Sequence, residues 1–193
     1  MIILFGYVSA VCIISSFVPY FVTLFKGATK PERTSWFLWA LLGGISFFSQ
    51  LSKGATHSLW LPGIQALGDF LVFILAIKYG IGGWKKRDKV SLVIAMLSLV
   101  VWYVTGQSAV ALFAAIIIDA NGVVLTMIKS YELPSTEPIS SWTLTGLSGF
   151  FAIFAVGQID WILLAFPVYT FVANVGIVLS IIFGKRNSNL RSI

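Results

Sequence analysis

A chain of 193 residues that is 58% hydrophobic and only 10% charged is not a soluble domain, where charged residues make up about a quarter of the sequence. So much apolar surface calls for lipid around it. The net charge of +6 points to anionic headgroups rather than nucleic acid, because the cations gather at the ends of apolar runs.

Seven runs approach the about 20 apolar residues that a helical span needs. They are continuously apolar rather than alternating, which favours helices over a β-barrel. The first, Ile2–Phe25, has no basic segment before it and is too long for a signal-peptide core, so a span is expected. It holds the sole cysteine, Cys12, which rules out an intrachain disulfide, and it holds Pro19. The polar loop "KPERTSW", Lys30 to Trp36, leads into the second run, Ser35–Leu51, which carries Gly43, Phe47 and Phe48. A short loop with Lys53 and His57 precedes the third, Leu59–Ile77, which contains Pro62, Gln65 and Asp69. A basic stretch, Lys78 to Lys89, separates it from the fourth, Val90–Thr105. The fifth, Ala109–Ile128, carries Asp119 and Asn121. A second polar loop, "TEPISSW", Thr136 to Trp142, opens the sixth, Trp142–Gly157, with Gly149 and Phe154. The seventh, Ile162–Phe183, carries Pro167 and Asn174 before a basic tail, "GKRNSNLRSI".

Seven spans place the termini on opposite sides. One side then receives every Lys and Arg except Lys53. The positive-inside rule therefore predicts a multi-pass protein of the cell membrane, N-terminus outside and C-terminus cytoplasmic. Trp36, Trp60, Trp84, Trp142 and Trp161 fall near span ends, where indoles favour the membrane interface.

The two Ser-Trp loops belong to a longer correspondence. Leu38, Leu41, Gly43 and Phe48 match Leu144, Leu147, Gly149 and Phe154. Upstream, Thr23 and Lys26 match Thr126 and Lys129. Downstream, Pro62 matches Pro167 and Asp69 falls against Asn174, all at a nearly constant offset. The expected fold is an all-α membrane protein with seven transmembrane helices. Residues 1–84 form a first three-helix repeat, 85–106 a linker helix, 107–185 a second three-helix repeat and 186–193 a cytoplasmic tail. With a linker between them the repeats run parallel, as in several transporter folds.

These segments also resemble a known group. "FVPYFVTLFKGATKPERTSW" is similar to the PQ-loop motif of the SWEET and PQ-loop transporter superfamily, and "QIDWILLAFPVYTFVANVG" resembles the acidic loop and seventh helix of SWEETs. Pro19-Tyr20 stands where that motif has Pro-Gln, and Gly122-Val123 takes its place in the second copy. The resemblance implies two three-helix bundles joined by a linker, alternating-access transport of a sugar-like solute, proton coupling in some members, and substrate-binding asparagines in the third and seventh helices. "WFLW", Trp36 to Trp39, resembles the Trp-rich motif of PnuC vitamin transporters.

A charged residue at mid-span costs about 2.5–3.5 kcal/mol on insertion scales, so Asp69 and Asp119 carry the most information. Asp69, its repeat mate Asn174, Gln65 one helical turn away, Asn121, Phe48 and Phe154 are the candidate solute-binding residues. Asp69 and Asp119 are candidates for proton coupling. For Asp69 and Asn174 the competing reading is a structural hydrogen bond between helices; for the phenylalanines it is packing. Pro19, Pro62 and Pro167 are candidate hinges, or static kinks. No catalytic constellation, metal-ligand cluster or phosphate-cradling loop is present, so neither enzyme activity nor a metal or cofactor is expected. The expected protein is a transporter of a small polar solute, a monomer or small homo-oligomer in the bilayer. An amino-acid or vitamin transporter, or a non-transporting receptor on the same fold, is the alternative.

Overall fold

A computed structural model describes residues 2–52, 60–83, 85–106, 108–156 and 161–190, with side chains for 2–42, 65–83, 85–101, 103–106, 110, 113–156 and 164–188. Seven α-helices account for most of them: α1 Ile2–Phe25, α2 Arg33–Ser52, α3 Trp60–Tyr79, α4 Lys86–Thr105, α5 Ser108–Glu132, α6 Ile139–Ala155 and α7 Trp161–Leu190. A 3₁₀ turn, Pro134–Thr136, lies between α5 and α6. Among the described residues there is no strand, only one parallel bridge between Glu32 and Ile81. Among the described residues four stretches are long and apolar enough to cross a membrane: Ile2–Phe25, Lys86–Thr105, Phe113–Glu132 and Leu164–Ser188.

The chain divides into two compact units. One comprises residues 1–29 and 126–193, the other residues 30–125. Partners within each unit come from both sequence halves.

In the first unit, α1 packs on α6 and α6 on α7. The α1 residues that are buried, Ser9, Ile13, Ser16, Tyr20 and Leu24, form one stripe at helical spacing. Around them Ile3, Leu4, Val11 and Val18 are exposed, as a lipid-facing helix requires. The stripe is small and polar toward its N-terminus, which lets the backbones approach. Ser9 Oγ donates to the Ser148 carbonyl at 2.9 Å and lies 3.1 Å from Ser148 Oγ. The next residue, Gly149, meets α7, where a Cβ would sit 2.7 Å from Phe171 N and 3.0 Å from the Pro167 carbonyl. Gly149 is thus a helix-contact glycine; the surroundings of Gly43, its repeat mate, lie outside the described residues.

In the second unit, α2 packs on α3 and α4. Leu38, Ala95 and Ile118 form a buried cluster, with Leu92 and Leu99 against it. Arg33 Nε donates to the Ala76 carbonyl at 3.0 Å and Nη1 to the Gly82 carbonyl at 3.1 Å. The guanidinium thereby adds a second donor to the Ala76 carbonyl, which also accepts the Gly80 N–H, and ties the end of α3 to the turn at Gly82.

The helix ends follow from local chemistry. After α1 the Gly27 N–H bonds the Leu24 carbonyl and the Ala28 N–H the Thr23 carbonyl. That is a Schellman closure, and Gly27 supplies the positive φ, 73°, that it needs. Asp88, in the first turn of α4, accepts from the Gly83 and Lys85 N–H groups at 2.7 and 2.8 Å. A carboxylate is favoured there by the helix dipole and fills the capping role. Pro62 is in the first turn of α3, where a missing N–H costs little. Pro19 and Pro167 lie inside α1 and α7.

Candidate functional site

The mid-helix polar residues divide between the two units. In residues 30–125, Asp69 is near the centre of α3 and 9% exposed. Gln65, one turn before it, is half-buried. Asp119 on α5, also half-buried, is close enough to act on Asp69 electrostatically. The Asp119 backbone carbonyl accepts from Trp39 Nε1 at 3.3 Å. One turn along, Ser35 Oγ donates to the Gly122 carbonyl at 2.7 Å. Gly122 is required at this crossing, because a Cβ there would lie 2.7 Å from Trp39 Nε1. The fold therefore brings the two proton-coupling candidates into one neighbourhood. Asn121 has a local role: its Nδ2 donates to the Ile117 carbonyl at 2.7 Å within α5.

In the other unit, Asn174 is 6% exposed near the middle of α7. Its Nδ2 donates to the Thr170 carbonyl at 2.8 Å, and its Oδ1 has no hydrogen-bond partner among the described residues. Its Cβ lies beside Gly146 of α6, where an added Cβ would come within 3.4 Å. A buried acceptor left unpaired costs about 1–3 kcal/mol. Phe154 packs against Phe5 and Phe150, with ring centroids 5.5 and 5.1 Å away. Its side chain remains 47% exposed. The side chains of Phe47, Phe48, Trp60, Pro62 and Trp161 lie outside the described residues, as do Lys53, His57 and Trp84 altogether.

The most elaborate polar centre was not among the expected sites. Lys129, at the end of α5, and Glu137, just before α6, form an ion pair whose side chains are 1% and 0% exposed. Trp142 Nε1 donates to Glu137 Oε2 at 2.8 Å, and the Tyr20 hydroxyl points at Oε1 from 3.5 Å. Lys129 Nζ also reaches the Thr136 carbonyl at 3.4 Å. The Tyr20 and Trp142 rings meet edge to face at 6.0 Å. This centre ties α1, the end of α5 and the start of α6 together.

The other Ser-Trp loop, Lys30 to Trp36, holds its glutamate against Ser35. Glu32 is 2% exposed and accepts from the Ser35 N–H at 2.7 Å and Ser35 Oγ at 3.0 Å. It thus caps α2, while Lys26, which the sequence alignment sets against Lys129, is exposed. The signal for both centres lies in the quoted loops: each has a glutamate beside a proline shortly before Ser-Trp. The two tryptophans also depart from interfacial anchoring. Trp36 and Trp142 are 4% and 6% exposed. Trp36 packs edge-on against Trp39 at 5.0 Å, and Trp142 has the buried carboxylate for its N–H.

Among the described residues no group of His, Cys, Asp and Glu has the arrangement of a metal site. No protein-family model, no curated protein and no solved structure matches the chain significantly. The class defined by the coordinates themselves is an all-helical chain with helices able to span a membrane.

Proposed function

We propose that this chain is a multi-pass membrane transporter that moves a small polar solute by alternating access. Asp69 and Gln65 in the unit of residues 30–125, and Asn174 in the other unit, are the candidate solute-binding residues, and Asp69 and Asp119 are the groups available for proton coupling. The observation that carries this reading is the burial of Asp69 and Asn174. These repeat-related residues are each at least nine-tenths buried near the middle of an apolar helix. Polar groups at that depth are costly, and a chain retains them where they handle a solute or an ion. The unpaired Asn174 Oδ1 adds an acceptor for a ligand hydroxyl or amine.

The pairing of helices supports a duplicated architecture of the 3+1+3 kind. In one unit α1 packs with α6 and α7. In the other, α5 meets α2 through Ser35 and Gly122, and α2 packs with α3. Each unit thus combines the first helix of one sequence copy with the second and third of the other. Duplicated halves give alternating access two states of similar energy. The prolines inside α1 and α7 supply bending points. The distribution of cations supports an N-terminus outside and a C-terminus in the cytoplasm.

The test is flux. Purified protein in liposomes, with a solute identified by thermal-shift screening of sugars, amino acids and vitamins, is expected to take up or exchange that solute. Asp69→Asn and Asn174→Ala should each abolish uptake while the protein still folds. Unchanged uptake in both would remove these residues from the site. Binding without flux in the wild type would make the chain a receptor.

A further inference from the structure

Between the ends of α5 and α7 lies an open groove of about 800 Å³, within the size range of small-molecule sites. Met127 and Ile128 of α5 and Phe183 of α7 line its apolar part. Tyr131, Glu132, Arg186 and Asn187 form a polar rim, all within one compact unit. The apolar stretches of both helices, Phe113–Glu132 and Leu164–Ser188, finish at this rim. With those helices in a bilayer, the groove straddles the depth at which hydrocarbon gives way to headgroups.

The rim is built. At Gly184 a Cβ would lie 2.6 Å from the Tyr131 carbonyl, so α5 and α7 touch backbone to backbone there. Asn187 Nδ2 donates to the Tyr131 hydroxyl at 3.1 Å and fixes the two side chains relative to each other. Arg186 is exposed and has no ion-pair partner among the described residues. Glu132 is exposed on the same rim, and a carboxylate has lone pairs for more than one donor. One guanidinium and one carboxylate above an apolar trough place both signs of charge on the rim. That surface complements a zwitterion better than a multiply charged anion.

We propose that this groove is a binding site for a zwitterionic glycerophospholipid whose headgroup ends in an ammonium, as in phosphatidylethanolamine. Arg186 takes the phosphodiester through its fork of N–H donors. Glu132 takes the ammonium, and an acyl chain follows Met127, Ile128 and Phe183. The assignment depends on the helices lying in a membrane and not on transport, so it stands or falls separately from the solute site.

Native mass spectrometry of the full chain in detergent, titrated with phosphatidylethanolamine, phosphatidylglycerol or inorganic phosphate, tests it. The wild type should retain phosphatidylethanolamine several-fold more than phosphatidylglycerol, and inorganic phosphate should not displace it. R186Q should weaken phosphatidylethanolamine binding by about ten-fold or more, the loss expected for one charged hydrogen-bonding partner. E132Q should remove the preference between the two lipids. Both substitutions are at exposed positions, and unchanged melting temperatures check that the fold is intact. Equal retention of the two lipids by the wild type, undiminished binding by R186Q, or displacement by inorganic phosphate would each overturn the proposal.

Discussion

Lys26 and Lys129 fall against each other when the two Ser-Trp segments are aligned, yet one is exposed and the other is 1% exposed against Glu137. No hydropathy profile distinguishes them. The difference comes from what the following loop offers: Glu32 turns toward the N–H of Ser35, whereas Glu137 turns toward Lys129 and Trp142. Removing one member of a buried pair leaves the other charge uncompensated, at a cost of about 3–5 kcal/mol. Lys129→Met and Glu137→Gln should therefore each lower stability by that amount, read by denaturation in mixed micelles. The double replacement should cost clearly less than the sum of the singles, since it removes both charges; additivity would show that the two groups do not act as a pair. Trp142→Phe keeps a benzene ring but loses the pyrrole half with the N–H donor at 2.8 Å from Glu137. It should cost at least about 1.5–3 kcal/mol in the same assay, the hydrogen bond to a charged group adding to the lost packing. Asp69 was legible in the sequence for the opposite reason. A carboxylate in the middle of an apolar run is conspicuous wherever its side chain points, and the fold adds its proximity to Asp119.

At the level of helices, the apolar runs locate all seven elements because lipid-compatible sequence is long, continuous and interrupted only by polar loops. The ends are set by other chemistry, and there the helices outrun the apolar stretches. α4 starts at Lys86, ahead of its apolar run, because Asp88 caps it. α5 continues to Glu132, past Ile128, because Lys129 and Ser130 are themselves buried in the protein. α7 runs to Leu190, through most of the basic tail. Which helix packs on which is not legible from hydropathy, because it rests on small-residue contacts such as Ser9 with Ser148 and Gly149 with Phe171. Glycines with the same letter therefore have different fates. Gly149→Ala forces a methyl group into a backbone contact of 2.7 Å, and overpacking of this kind costs about 1–3 kcal/mol. Gly6 in α1 has nothing within 4 Å of the same added carbon, so Gly6→Ala should be neutral or stabilise by up to about 1 kcal/mol through helix propensity. Thermal unfolding of the two variants side by side reads the contrast, and equal effects would contradict the packing described at α6 and α7.

For the whole molecule, the charge distribution makes a prediction independent of any solute. In a Cys12→Ser background, single cysteines at Lys85 and Lys185 should react with a membrane-impermeant maleimide only after the cells are permeabilised. A cysteine at Lys53 should react from outside. The reverse pattern would invert the proposed topology. The seven-run count and the bias of cations are properties of the entire chain and can be read from letters alone. The two compact units cannot, because residues 1–29 and 126–193 join across nearly the whole length of the sequence.

That interleaving has a consequence for how the polypeptide can be assembled. A gene severed after residue 106 would yield two fragments, each missing neighbours that the other supplies. Ser9 would lose Ser148, Tyr20 would lose Trp142, and Ser35 would lose the Gly122 carbonyl. Neither fragment should accumulate when made by itself, whereas the pair produced together should recover one another in the membrane and co-purify, as two pieces of one interlocked object rather than two autonomous modules.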